Sequence, residues 1–116
     1  MKLSEIFKEG NIIPDLEAKD KKEALEELAE AIASRERSLD KSSLVKGLLE
    51  RERLGSTGIG EGIAIPHGKF HGVSQLIISF GRSIKGLDFE SMDGEPAFLF
   101  FLLVAPENSD GIHLKT

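Results

Sequence analysis

The sequence predicts an α/β fold in which a sheet is covered by helices on both faces, and three observations carry that prediction. Charges are dense between Leu16 and Arg53, where Gly47 is the only glycine. The stretch from Gly55 to Gly72 then holds six of the twelve glycines. Finally, the late run Phe98-Leu99-Phe100-Phe101-Leu102-Leu103-Val104 is apolar without alternation, as a strand buried on both sides should be. Helices therefore come first, a glycine-rich loop follows, and strands complete a layered domain. At 116 residues, 40% apolar and 30% charged, the chain reads as one domain spanning 1–116, with a core sufficient to fold without metal or disulfide staples.

Asn11-Ile12-Ile13 suits a short edge strand. Asp20 is an N-cap, Glu23 stands three residues later as in a capping box, and Leu25, Leu28 and Ile32 form a stripe, which predicts a helix over 21–34. A second helix starts after Asp40, carries Leu44, Val45, Leu48 and Leu49, and stops at Gly55. Arg51 and Arg53 in its last turn complement the negative end of the helix dipole. Ile63-Ala64-Ile65 is a strand ended by Pro66, Gln75 to Phe80 a second, and Ala97 to Val104 a third. Between the last two, Lys85-Gly86 and Asp93-Gly94 mark Ser83 to Pro96 as a turn-rich excursion.

Composition excludes several kinds of function. A net charge of -5 and a pI near 5.2 oppose a nucleic-acid grip, and the absence of Trp and Tyr leaves few stacking platforms. Without cysteine there is no thiol nucleophile and no sign of an oxidising compartment. The first residues lack the apolar stretch of a signal peptide, and the run Ala97 to Ala105 falls far short of the ~20 residues that span a bilayer. A cytoplasmic protein that does not insert into membranes is expected.

The segment from Arg51 to Lys69 concentrates the chemistry. A dinucleotide fingerprint fails there: counting from Gly58 its last glycine falls on Ile63, and counting from Gly60 on Ile65. A phosphate loop ending in Gly68-Lys69 fails too, since its first glycine would be Ile63 and Phe70 follows the lysine. What remains is a glycine run from Gly58 onward whose backbone N–H groups suit an anion. His67 follows a strand and a proline, and an imidazole is largely an uncharged nucleophile at neutral pH. If a backbone carbonyl fixes its Nδ1–H, Nε2 is left free to attack. Phosphoryl transfer needs donors and cations around such an atom, which Arg51, with its guanidinium fork, and the hydroxyls of Ser56 and Thr57 could supply.

His71 reads as a loop residue, and His113 as part of the opening turn of a helix. Two further readings stand beside a phosphoacceptor. One is a non-enzymatic anion- or nucleotide-binding module. The other is a zinc site from His67, His71 and His113, against which stands the lack of the helical H-E-x-x-H setting.

The run Gly55-Ser-Thr-Gly-Ile-Gly-Glu-Gly-Ile-Ala-Ile-Pro-His67-Gly-Lys69 resembles the active-histidine signature of enzyme IIA domains of the phosphoenolpyruvate-dependent phosphotransferase system. The resemblance is to the fructose/mannitol class (type 2), especially its nitrogen-regulatory branch, and extends from about Leu3 to Lys115. It implies a mixed sheet flanked by helices and a phosphoryl group accepted on Nε2 of His67 from the carrier HPr or its nitrogen-branch relative. It also implies that Arg51 steadies that group, that His113 is the second histidine of the pocket, and that Ser56, Thr57 and Gly58 lie at the phosphate site. No metal or organic cofactor is implied. The downstream partner is either a IIB subunit of a sugar permease or a regulated kinase or transporter, with the regulatory role preferred. Family members continue past the second histidine through a full helix and often another, so this chain is expected to be cut inside the helix that begins near His113.

Overall fold

The computed structural model describes residues 12–107. Strand β1 (Ile12–Ile13) leads to helices α1 (Lys21–Ala33) and α2 (Lys41–Arg53), and then to β2 (Gly58–Gly60), β3 (Ile63–Ala64), β4 (His67–Phe70), β5 (Ile77–Leu87) and β6 (Ala97–Pro106). Both helices start where the capping residues predict. The Asp20 side chain accepts from the Glu23 N–H at 2.8 Å and that of Asp40 from the Ser43 N–H at 3.0 Å. Glu23 departs from the capping-box geometry: its carboxylate accepts from the N–H of Lys19, one residue before the cap.

The sheet is mixed, in the order β1-β5-β6-β3-β2, with β4 also paired to β6. Strand β6 is its centre: β5 runs antiparallel along one side, while β3 and β4 both run parallel along the other. Pro66 therefore interrupts a strand rather than ending it. Ile63 and Ala64 pair with Leu99 and Phe100, and after a two-residue break His67 to Phe70 pair with Leu103 to Pro106. Across the break the Pro66 carbonyl accepts from the Leu103 N–H at 2.9 Å. Strand β5 is longer than its apolar stretch predicts, reaching Leu87 through an irregularity between Arg82 and Leu87.

Helices α1 and α2 cover one face. Leu25, Leu28 and Ile32 of α1 and Leu44 and Leu48 of α2 join Phe100, Leu102 and Val104 of β6 in a single buried cluster, each large side chain worth about 1.5–3 kcal/mol on burial. Alternation along the strands sends Leu99, Phe101 and Leu103 to the opposite face, where the rings of Phe80 and Phe101 pack at a tilt of 53° with centroids 5.0 Å apart. His113 and the helices that the resemblance assigns to the region beyond the last strand fall outside the described residues.

Gly47 brings α2 down onto β4. A Cβ there would stand 2.7 Å from Cε1 of Phe70, closer than packed carbons approach, so glycine at this helix position permits the contact. The consequence is functional: the last turn of α2, with Arg51, is held beside the strand that begins with His67.

Candidate functional site

His67 opens β4 in register with Leu103 and is half-buried. Its Nδ1 lies 2.9 Å from the carbonyl oxygen of Ile65. A carbonyl oxygen can only accept, so Nδ1 carries the hydrogen and Nε2 keeps the lone pair. This is the tautomer that leaves Nε2 able to act as a nucleophile, and it is set by backbone two residues upstream.

A cavity of about 290 Å³ connects the histidine to its neighbours, lined by Arg51, Ser56, Thr57, Ile59, Ile65, His67 and Leu103. The Arg51 guanidinium reaches it from the end of α2, with Nη1 donating to the Gly55 carbonyl at 2.9 Å and its other N–H groups available to an anion. A larger cavity of about 640 Å³ lies elsewhere, along α1, among Glu17, Glu23, Glu26, Glu27 and Glu30. Its charge repels phosphate, so size does not locate the site here.

The loop between α2 and β2 is held more tightly than a glycine-rich reading anticipates. Ser56 Oγ donates to the Phe89 carbonyl at 2.9 Å and accepts from the Gly58 N–H at 3.1 Å. Thr57 is buried, its N–H donating to Oε1 of Glu52 at 3.0 Å and its hydroxyl to Oε2 at 2.5 Å. Gly58 is buried as the first residue of β2, where a Cβ would collide with Ser91. The structure thus brings Arg51, Ser56, Thr57 and His67 to one cavity, with Gly58 behind its wall. His71 lies in the turn after β4, exposed, with Nδ1 3.2 Å from a Glu107 carboxylate oxygen. Among the described residues, no group of three His, Cys, Asp or Glu is placed to hold a metal ion.

Residues 5–116 match the family described as phosphoenolpyruvate-dependent sugar phosphotransferase system, EIIA 2. The chain belongs to that family. This EIIA 2 domain is 42% identical over 115 residues to a nitrogen regulatory protein of Bradyrhizobium diazoefficiens, covering 99% of the chain and 74% of that protein. It is 39% identical over the same length to the fructose-specific EIIABC component of Bacillus subtilis, of which it spans 18%. The crystal structure of the nitrogen regulatory protein IIA-Ntr from Neisseria meningitidis superposes with a TM-score of 0.85 at 40% identity, covering 92% of this chain and 73% of that one. EIIA domains are phosphotransfer components of the system named, and this one has the mixed sheet and helix pair of its structural neighbours. No helix among the described residues is long and apolar enough to cross a membrane.

Residue-by-residue reading of the EIIA 2 sequence passed over two members of the site's support, Glu52 and Lys21. The signal for Glu52 was present: it lies four residues after Leu48, on the buried stripe of α2, where a carboxylate needs a partner. The partner is Lys21, whose Nζ is 2.8 Å from Oε1 of Glu52 and 5.0 Å from the Phe89 ring centroid.

Proposed function

We propose that this EIIA 2 domain accepts a phosphoryl group on Nε2 of His67 from the phosphohistidine of an HPr-like carrier protein. The observation that carries the reading is the Nδ1–Ile65 hydrogen bond, which leaves Nε2 as the nucleophile in a cavity shared with Arg51. In the step, the Nε2 lone pair forms the new N–P bond while the donor's P–N bond breaks, and that electron pair returns to the donor imidazole. The Nδ1 hydrogen stays in place, so no proton has to move. Charge spread over the three phosphoryl oxygens is met by the free guanidinium N–H groups of Arg51. Ser56 adds a donor by turning its hydroxyl from the Phe89 carbonyl, whereas Thr57 and Gly58 contribute by shaping the loop. His113 is assigned the place of second histidine on resemblance alone. Ile59, which lines the cavity and is 53% exposed, gives it apolar surface for a protein donor.

Downstream, the reading favoured is a cytoplasmic regulator whose contacts with a kinase or transporter change when His67 becomes charged, supported by the likeness to nitrogen regulatory proteins. Delivery of the phosphoryl group to a IIB subunit is the second reading, supported by the likeness to the fructose EIIABC component.

Incubation with phosphoenolpyruvate, enzyme I and HPr tests the acceptor. Intact mass should rise by one acid-labile phosphoryl group in the wild type and stay unchanged in His67→Ala. An unchanged wild-type mass, under conditions that phosphorylate a control EIIA, overturns the reading. Efficient onward transfer to a purified IIB would favour the transport role.

A further inference from the structure

Lys21 and Glu52 each stand at a helix end that does not suit their charge. Lys21 is the first residue of α1, where the helix dipole disfavours a cation, and Glu52 is in the last turn of α2, where it disfavours an anion. Both are withdrawn from water, with side chains 15% and 4% exposed. Their 2.8 Å ion pair joins the two helices. Local preference therefore does not account for either residue, and the contacts of Glu52 beyond Lys21 suggest what does.

Glu52 grips Thr57 at both its N–H and its hydroxyl. The Thr57 carbonyl in turn accepts from the Ile65 N–H at 2.9 Å, and the Ile65 carbonyl receives Nδ1 of His67 at 2.9 Å. Pro66, fully buried and held through its carbonyl by Leu103, limits how the Ile65 carbonyl can turn. The chain of contacts from Lys21 through Glu52, Thr57 and Ile65 to His67 is continuous and largely sheltered from solvent. We infer that Glu52, held by Lys21, is a positioning residue that fixes the tautomer and orientation of His67 through Thr57 and Ile65. It touches neither the phosphoryl group nor the imidazole. Its effect is to keep the Ile65 carbonyl where Nδ1–H must point, as carboxylates behind metal-binding histidines do by contact.

This inference rests on His67 being the phosphoacceptor for its kinetic consequence, but its primary readout does not. Long-range proton–nitrogen NMR of the His67 ring, at a pH where the ring is neutral, reports which nitrogen carries the hydrogen. In the wild type Nδ1–H should dominate. Glu52→Ala and Thr57→Val should each raise the share of the Nε2–H form, and Glu52→Gln, which keeps an acceptor of the same shape, should restore most of the wild-type spectrum. Phosphorylation of Glu52→Ala at saturating donor should slow on the order of tenfold or more. Glu50→Ala, a change two residues away on the exposed side of α2, is the control and should leave both readouts alone. A wild-type His67 ring with the Nε2–H form, or a tautomer and rate unchanged in folded Glu52→Ala, overturns the inference. If Glu52→Ala does not fold, Thr57→Val decides in the same way. Failure of the wild type to be phosphorylated would remove the acceptor reading, while the tautomer comparison still decides the positioning one.

Discussion

Nδ1 of His67 and the carbonyl oxygen of Ile65 lie 2.9 Å apart, so the residue two places before the histidine decides which nitrogen of the neutral ring keeps its lone pair. Arg51 shares the histidine's cavity from a different element, its Nη1 anchored on Gly55. One ring nitrogen is thus held by the backbone of the break between β3 and β4, and the charge that shares its cavity by a helix end.

Arg51→Lys should keep the fold and lose much of the transfer rate, because an ammonium is a point charge without the fork that matches phosphoryl oxygens. Arg51→Ala should slow phosphorylation of His67 by about 10²-fold, the scale for losing one oriented donor to a developing charge. Its stability should fall by only about 1 kcal/mol, for the hydrogen bond to Gly55. Single-turnover phosphorylation and thermal melting separate the two, and a rate within a factor of two of wild type would remove Arg51 from the site.

Gly47→Ala sets two effects against each other. Alanine gains about 1 kcal/mol in helix propensity, but its Cβ would meet Phe70 at 2.7 Å, and overpacking of that kind costs about 1–3 kcal/mol. The clash should win, giving a less stable protein. It should also slow phosphorylation, because α2 and β4 carry Arg51 and His67. Adding Phe70→Leu should recover stability; a melting temperature above wild type for Gly47→Ala alone would refute the close approach.

The β2–β3 hairpin turns on Glu61 and Gly62, both in the left-handed region at φ 56° and 80°. Such a two-residue turn favours Asn-Gly. Glu61→Asn should therefore stabilise the protein by up to about 1 kcal/mol, and Gly62→Ala should destabilise it by about 1–2 kcal/mol. Chemical denaturation of the two variants checks both signs.

Asp93 clips the same hairpin, its carboxylate accepting from the Glu61 N–H at 2.9 Å and the Glu95 N–H at 3.0 Å. These bonds, Glu61 first, hold its pKa below the usual carboxylate range. Because the folded protein binds this proton less readily than the unfolded chain, the contribution is complete above the ordinary value of about 3.9. It is lost as pH falls through the lower folded pKa. Carboxyl NMR should give Asp93 a midpoint below that of a free aspartate, and Asp93→Ala should raise the exchange rate of the Glu61 amide. A midpoint at or above the free value would contradict the clip.

The helices were legible because their signals are local. Asp20 and Asp40 cap them, and the buried leucines recur at helical spacing. The strand at Ala97 was legible from its unbroken apolar run. Strands β2 and β4 were not, since Gly58-Ile59-Gly60 and His67-Gly68-Lys69-Phe70 have neither strand composition nor alternation. They extend because β3 and β6 offer them ladders, Gly58 pairing with Ala64 and His67 with Leu103.

At the site, the glycine-proline-histidine run singled out His67 and the family it belongs to, and the α2 ending put Arg51 within reach. Residue types and short spacings suffice for that much, because they record which chemistry the chain can perform. Pairing across the fold decided the rest: that Thr57 spends its hydroxyl on Glu52, that Lys21 stands behind Glu52, and that the carbonyl of Ile65 takes Nδ1 of His67 and leaves Nε2 with its lone pair. A hydrogen bond is directional and short, so its partner is fixed only when separate elements are brought to within about 3 Å of each other.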